Sequence, residues 1–297
     1  MAEGGDGKLD RGTLIALVAM SLGVFLIAND FTALSVALPD IERDFDSDLG
    51  AVQWVINGYA LVFGVLIVTG GRLCDLYGRR RLFFWGAGIF ATFSAVSAVA
   101  PSLPVLLAGR ALMGVGGAIM WPAVLGMTFA ALPAAKAGLA GGLVLGVAGL
   151  GNAVGPLLGG VLTETLGWRW VFVVNLPVAA IAVLATWRYI HQTFERDARD
   201  RIDVAGVVAL TVSLVALLVA LDEVTELGWG DARIVGLLAG FAVALVAFVV
   251  VERRAGRNAL VPGEVIGVTE FAASCLALLC TAGVFFAALL YLPQLFQ

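Results

Sequence analysis

The sequence contains little charge. Only 13% of its 297 residues are charged and 61% are hydrophobic, whereas a soluble domain has about 25% charged residues. The apolar residues fall in nine runs, each close to the roughly 20 residues that a helix needs to cross a bilayer. Barrel strands are much shorter than these runs, so we predict an all-α polytopic membrane protein. The runs are 13–38, 51–71, 82–100, 103–130, 139–162, 169–190, 204–222, 232–251 and 268–291.

Histidine and cysteine are scarce. The single histidine, His191, lies in a charged segment between predicted spans, whereas a proton-relay histidine would lie within a span. Cys74, Cys275 and Cys280 do not have the spacing of a metal site. The sequence also contains no phosphate-cradling glycine loop and no nucleophile elbow. We therefore expect no metal, no cofactor, no enzymatic activity and no nucleic-acid partner.

Basic residues are concentrated on one side of the predicted spans. With the N-terminus in the cytoplasm, 14 Lys and Arg lie on the inner side and 3 on the outer side, and Arg110 lies within a span. This asymmetry follows the positive-inside rule and predicts a multi-pass protein of the cell membrane with a cytoplasmic N-terminus. The inner residues are Lys8, Arg11, Arg72, Arg79, Arg80, Arg81, Lys136, Arg188, Arg196, Arg199, Arg201, Arg253, Arg254 and Arg257. The outer residues are Arg43, Arg169 and Arg233.

The turn between the second and third spans has an ordered pattern, carried by Gly71, Asp75, Gly78, Arg79 and Arg80. Gly78 permits a tight reversal of the chain. Asp75 and Arg79 are close enough in sequence to form an ion pair. An ordinary positive-inside loop would account for the arginines, but it does not account for the spacing of the glycines and the aspartate before them.

The fifth span carries glycines at a regular spacing. Gly151, Gly155 and Gly159 recur every four residues and are followed by Gly160, so the first three lie on one helix face that another backbone can approach closely. Pro156 removes one backbone hydrogen-bond donor. A generic helix-packing stripe is the alternative explanation.

Asp30 and Arg110 are the clearest ionisable residues deep within the predicted spans. Asp30 precedes Pro39 and Arg110 follows Pro104, which places them about 13 Å and about 9 Å below the outer end of their helices at 1.5 Å per residue. An unpaired charge at such depth costs at least about 2.5–3.5 kcal/mol. We therefore expect the two side chains to face each other or to share a water-filled cavity. A structural ion pair without a role in transport is the alternative.

These segments together resemble the major facilitator superfamily. The inner turn is similar to the family's loop signature, and the fifth-span glycines are similar to the antiporter motif of its exporters. The segments around Asp30 and Arg110 resemble two motifs of the drug:proton antiporter branch that has fourteen spanning helices. Met113 stands where the second motif usually has glutamine.

The resemblance implies a division of the chain. Residues 13–190 would form a six-helix N-terminal lobe, and 204–251 an extra transmembrane hairpin. Residues 252–297 would form an inner loop and the first helix of a second lobe, whose other helices we expect to be missing. Residues 1–12 are predicted to be disordered, and 191–203 to form a cytoplasmic linker. We therefore expect that the chain alone does not transport and needs a second-lobe polypeptide or a second copy.

The resemblance also implies a function, the proton-coupled efflux of small lipophilic or cationic compounds across the lipid bilayer. Asp30 and Arg110 would couple transport to protons, and the glycine face of the fifth span would control closure against the second lobe. The substrate-cavity candidates are Asn29, Trp54, Tyr59 and Met113; Trp54 and Tyr59 would line one apolar pocket. The alternative is a non-transporting membrane fragment or partner subunit. A membrane enzyme is disfavoured because the predicted inner loops are too short to fold as a catalytic domain.

The first testable prediction concerns topology. Single cysteines introduced near Asp46 or Glu226, in a chain whose native cysteines are replaced by serine, should react with a membrane-impermeant thiol reagent added outside. Cysteines near Arg80 or Arg199 should not react until the membrane is opened, because basic segments stay in the cytoplasm. Labelling of a cysteine near Arg199 from outside would refute the nine-span topology.

Overall fold

The structure, a computed structural model, describes residues 11–190, 203–256, 259–260 and 268–295, and these residues are almost entirely helical. The predicted disordered segment 1–12 and the linker 191–203 lie outside the described residues, except that Arg11 and Gly12 begin α1 and Asp203 caps α8. The helices are α1 (Arg11–Ala33), α2 (Leu38–Phe45), α3 (Leu49–Tyr77), α4 (Arg79–Ala98), α5 (Leu103–Ala131), α6 (Ala137–Leu166), α7 (Arg169–Tyr189), α8 (Val204–Leu227), α9 (Ala232–Ala255) and α10 (Thr269–Leu295).

Within the part of the chain that the structure describes, eight helices are long and apolar enough to cross a membrane. They are α1 and α3 to α9, and each coincides with one of the first eight predicted runs. The ninth run coincides with α10, in which Thr269–Val284 forms a shorter apolar stretch. The prediction of an all-α polytopic membrane protein is therefore confirmed.

The first span ends earlier than the sequence predicts. A single helix over 13–38 is expected, but α1 ends at Ala33 and the chain turns before α2 begins at Leu38. Within this turn the Ser35 and Ala37 amides donate to carbonyls only three residues back, which is tighter than α-helical bonding. Pro39 lies in the first turn of α2, where a residue without an N–H group leaves no helical bond unmade. The proline therefore starts the short helix α2 and does not end the first span.

The helices α1 to α7 pack into one bundle. α5 lies against α3 and α4, α1 lies against α6 and α7, and the contact between α4 and α7 joins the two groups. The core between them is apolar and includes the fully buried side chains of Phe83, Phe90 and Phe172. α8 and α9 pack mainly on each other and reach the bundle through α3.

Polar contacts at the two ends of the bundle show that α4 is antiparallel to both α5 and α7. At one end, Arg169 bonds Asp44 at 2.6 Å and the Ala100 carbonyl at 3.3 Å. At the other end, Arg79 donates to the Gly126 carbonyl at 3.0 Å, and Arg80 donates to the Trp187 carbonyl at 3.0 Å. The end of α4 thus meets the start of α7, while the start of α4 meets the ends of α5 and α7.

The patterned turn between α3 and α4 adopts the expected reversal. Gly78 has a φ of +91°, a value that L side chains rarely adopt, and Asp75 pairs with Arg79 at 3.8 Å. Near this turn, α3 approaches α5 most closely at Gly70 and not at Gly71. A Cβ there would lie 2.9 Å from the Ala118 carbonyl carbon, whereas one at Gly71 would make only an ordinary contact.

The glycine face of α6, formed by Gly151, Gly155 and Gly159, packs against α1 within the same bundle. A Cβ at Gly151 would lie 3.0 Å from the Ala28 Cβ, and one at Gly159 would lie 3.1 Å from the Ala33 Cα. The face is therefore occupied by α1 within this bundle, and its expected role in closure against a second lobe stays a prediction. The four-residue spacing predicts close packing but does not identify the helix that approaches.

The adjacent residues Gly159 and Gly160 provide a test of this packing. Gly159→Ala should lower the thermal unfolding midpoint in detergent, because its Cβ would overlap the backbone of Ala33; overpacking typically costs about 1–3 kcal/mol. Gly160→Ala is the matched control, since its Cβ would lie 3.7 Å from Val36, in ordinary contact. Equal midpoints for the two variants would contradict the α1–α6 packing described here.

Candidate functional site

A buried ion pair lies at the centre of the bundle. Asp30 on α1 and Arg110 on α5 are both completely buried, and the Arg110 Nη1 donates to the Asp30 Oδ2. The two residues are 80 positions apart in sequence. Their matched depths predict this pairing, and the structure confirms it.

Arg110 has further partners besides the carboxylate. Its Nε donates to the Val55 carbonyl on α3 at 2.8 Å. Its guanidinium carbon lies 4.3 Å from the Tyr59 ring centre and 5.8 Å from that of Phe172, within the range of cation–π attraction. The Met113 sulfur lies 3.8 Å from Nη1 and offers only a weak acceptor. The positive charge is thus compensated by groups from several helices.

The second carboxylate oxygen of Asp30 has a separate donor. The Asn175 Nδ2 on α7 donates to the Asp30 Oδ1 at 3.1 Å and to the Ser94 Oγ on α4 at 3.2 Å. The Ser94 hydroxyl donates in turn to the Phe172 carbonyl at 2.9 Å. The carboxylate is therefore held from two sides, by a charged donor on α5 and a neutral donor on α7.

Sequence reasoning misses Asn175 and Ser94 as site residues. An available signal for Asn175 is that an amide in an apolar span is costly unless it is hydrogen-bonded. Ser94 offers no comparable signal, because small hydroxyl residues are common wherever membrane helices pack closely.

Three buried polar atoms at this site have no hydrogen-bond partner among the described residues. They are the Asn29 Oδ1, the Tyr59 Oη and the Arg110 Nη2. Asn29 directly precedes Asp30 in the chain, and Tyr59 stacks beneath Arg110. The site therefore contains hydrogen-bonding groups beyond those that the ion pair uses.

The glycine face of α6 borders the ion pair. A Cβ at Gly151 would lie 3.1 Å from the Asn29 amide nitrogen, and one at Gly155 would lie 3.0 Å from the Asn29 carbonyl oxygen. The Thr32 hydroxyl donates to the Asn152 carbonyl of α6 at 3.0 Å. The backbone on both sides of Asp30 is thus in direct contact with α6.

Trp54 and Tyr59 do not share a pocket, contrary to the sequence-based expectation. Tyr59 is completely buried against Arg110 and the ring of Phe31, whose centre is 4.7 Å away. Trp54 instead lines a cavity of about 290 Å³ between α3 and α8. The two residues are five positions apart, which turns their side chains to different faces of the helix.

A second space of about 700 Å³ shares Trp54, Asn57 and Asp222 with this cavity and extends to the turn between α8 and α9. The Asn57 Nδ2 donates to the Asp222 Oδ1 across it at 2.8 Å, which ties α8 to α3. Glu223, Glu226 and Arg233 line this second space. Since Asn29, Tyr59 and Met113 do not line either space, the substrate-cavity candidates fall into two separate groups.

Comparisons with known proteins show which sequences and which fold this chain resembles. The sequence profile described as Major Facilitator Superfamily matches residues 20–297. The multidrug resistance protein Stp of Mycobacterium tuberculosis is 36% identical over 280 residues, which cover 94% of this chain and 51% of that protein. The puromycin resistance protein pur8 of Streptomyces alboniger is 39% identical over 269 residues, which cover 89% of this chain and 51% of that protein.

A third relative is the tetracenomycin C resistance and export protein of Streptomyces glaucescens, 36% identical over 80% of this chain and 44% of that protein. The chain thus spans about half the length of the curated relatives it matches. Among solved structures, an auto-inhibited POT family peptide transporter aligns with a TM-score of 0.54 and 15% identity, over 82% of this chain and 51% of that one. This likeness concerns the fold alone.

The energetic role of the ion pair can be measured by a double-mutant cycle. Arg110→Met leaves a buried carboxylate without its cation and should destabilise the chain by about 3–5 kcal/mol. The double variant Asp30→Asn/Arg110→Met should lose less than the sum of the single changes, because neither charge is then left alone. Stability would be measured by denaturant titration in mixed micelles.

The exposed pair Asp44–Arg169 is the control for this cycle. Both of its side chains are about 40% exposed, and such pairs are typically worth about 0–1 kcal/mol. A coupling energy for Asp30–Arg110 no larger than that of the control would contradict the tight buried pair.

Proposed function

Because this chain belongs to the Major Facilitator Superfamily, we propose that it acts in the export of small lipophilic or cationic compounds across the cell membrane. The relatives support this proposal, since several are named for drug resistance or export. They differ in the compounds that their names mention, so they support a class of activity and not a particular substrate.

We propose further that export is coupled to protons through Asp30. The observation that carries this step is a carboxylate completely buried within a span, paired with Arg110. A carboxylate buried within a span needs a compensating partner, and either Arg110 or a proton can serve as that partner. A conformational change that moves the two apart would therefore bind or release a proton.

The substrate candidates fit this proposal in different ways. Asn29 lies next to Asp30 and has an unpartnered amide oxygen, so it is the candidate best placed to contact a compound near the ion pair. Tyr59 and Met113 are completely buried beside Arg110 and would reach a substrate only when the bundle opens. A cationic compound that neutralises Asp30 would compete with the proton for the same carboxylate.

The division of the chain enters the proposal as well. We propose that 13–190 forms one transport lobe and 204–251 an added hairpin, with 252–297 leading into a second lobe. The N-terminus lies in the cytoplasm in this arrangement. Transporters of this kind bind substrate near the midplane between repeats. The second lobe would come from further residues of a longer chain, from another polypeptide or from a second copy.

A transport assay tests the role of Asp30. In a complete transporter that contains this sequence, Asp30→Asn should reduce pH-driven dye efflux from proteoliposomes to background, because the amide cannot carry a proton. Membrane insertion should be unchanged. Asp44→Asn is the matched control, since it makes the same chemical change at an exposed outer pair. Undiminished pH-driven efflux by Asp30→Asn would reduce Asp30 to a structural role.

A further inference from the structure

The cavity between α3 and α8 is separate from the buried ion pair. Its volume is about 290 Å³, and neither residue of the ion pair lines it. Its walls are mostly apolar and include Trp54 and Leu61 on α3 and Leu218 on α8. Leu218 lies nine positions before Leu227, the last residue of α8, so the cavity extends about 13 Å along this helix from its end. An aromatic or branched alkyl group fits a cavity of this depth and lining.

A carboxylate stands at one end of these apolar walls. Among the described residues that line the cavity, Asp222 is the only charged one. The Asn57 Nδ2 on α3 donates to its Oδ1 at 2.8 Å. Because Asn57 is neutral, this hydrogen bond orients the carboxylate without changing the charge of the cavity lining. Asp222 is four positions after Leu218 and so lies on the same face of α8.

The second space, which shares Trp54 with the cavity, has a negatively charged lining. Four acidic residues and one basic residue line it, namely Asp48, Asp222, Glu223, Glu226 and Arg233. No group of three or more His, Cys, Asp or Glu side chains in the described part of the chain could hold a metal ion. The acidic residues therefore surround the space without converging on one point. Such a lining suits a single diffuse positive charge better than a metal ion, which needs several oxygen ligands at short distance.

The two spaces differ in their position along the membrane span. The apolar span of α8 is Val204–Val224, so Leu218 and Asp222 lie within it, whereas Glu226 follows it. Trp54 lines both spaces, and the face of an indole ring attracts cations. A ligand that fits both spaces therefore has an apolar body within the span and a positive charge toward the end of the span.

We propose that the two spaces form a binding site for a lipophilic monovalent cation, here named the hairpin site and made by Trp54, Asn57, Leu61, Leu218 and Asp222. The apolar part of the cation lies between Trp54, Leu61 and Leu218, and its charge lies beside Asp222. Leu218 is 37% exposed, so a compound enters this site without opening of the bundle, whereas the ion pair is completely buried. Binding does not rest on the proposed proton coupling; a part of the hairpin site in export would rest on the proposed function.

The test is equilibrium binding of tritiated tetraphenylphosphonium to the 297-residue chain in lipid nanodiscs, with empty nanodiscs as background. Asp222→Asn should weaken binding by about tenfold, because it removes one charge beside an apolar cavity. The asparagine oxygen still accepts from Asn57, so the contact between α3 and α8 is retained. Asp44→Asn is the matched control, since it makes the same chemical change in the exposed pair with Arg169, and it should leave the affinity unchanged.

A second variant and a second ligand test the shape and the charge of the site. Ala60 lines the cavity, so Ala60→Phe would fill it and should weaken binding by about tenfold. Ala153→Phe is its control, because Ala153 is exposed on α6 and lines neither space. Tetraphenylborate has a similar size and shape but a negative charge, and it should bind the unchanged chain about tenfold more weakly than the cation.

Three results would overturn the proposal. The first is equal affinity of the unchanged chain and a folded Asp222→Asn chain for the cation. The second is equal affinity of the unchanged chain for the cation and the anion, which would indicate an apolar crevice that lipid can fill. The third is no binding of the cation above the empty nanodiscs. If Asp222→Asn does not fold, unweakened binding by Ala60→Phe overturns the proposal instead.

The binding experiment and the transport assay can fail separately. Binding that depends on Asp222, together with undiminished pH-driven efflux by Asp30→Asn, would support the hairpin site and reject proton coupling through Asp30. Binding that does not depend on Asp222, with efflux abolished in Asp30→Asn, would reject the hairpin site and leave the proposed function in place.

Discussion

The burial of Arg110 within the bilayer-spanning bundle is the constraint on which the arrangement of the helices depends. A cation at such depth costs at least about 2.5–3.5 kcal/mol unless it is paired, and this one is completely buried. Its partners come from three other helices: Asp30 on α1, the Val55 carbonyl and the Tyr59 ring on α3, and the Phe172 ring on α7. Rotation of any of these helices would remove a partner from the charge. The contacts of Arg110 therefore fix how α1, α3 and α7 are rotated about their own axes.

Such contacts require backbones that lie close together, and the glycines of α5 provide this. A Cβ at Gly114 would lie 2.8 Å from the Tyr59 carbonyl oxygen on α3, and one at Gly116 would lie 2.6 Å from the Phe90 amide nitrogen on α4. Gly114 is four residues after Arg110 and so lies on the same face of α5. Because Gly114 has no side chain, α3 can lie close enough to α5 for Arg110 to reach the Val55 carbonyl. The buried charge can thus reach its partners only because small residues let the helices pack closely.

The sequence predicts the eight long spans of the described residues and the pairing of Asp30 with Arg110, because each of these follows from a local property: apolar length, or the depth of a charge within its own helix. Apart from this one pair, it does not predict which helices touch. The glycine face of α6 is recognisable from spacing, yet its partner α1 is visible only in the structure. The same holds for Asn175 and Ser94, whose roles depend on where α7 and α4 pass Asp30. The assignment of Trp54 and Tyr59 to one pocket fails because two residues that are close in sequence can lie on different faces of a helix.

Pro156 and Gly155 together allow one hydrogen bond between α6 and α1. In an uninterrupted helix the Asn152 carbonyl would accept from the amide of residue 156, but proline has no N–H to give. The Thr32 hydroxyl of α1 donates to this carbonyl at 3.0 Å, and a Cβ at Gly155 would collide with the same hydroxyl. The proline thus frees an acceptor, and the glycine leaves room for the donor that uses it. Thr32 is two residues from Asp30, so a displacement of α6 along α1 breaks a bond beside the buried carboxylate. The motif on α6 is therefore linked to the charged site through its contacts with α1.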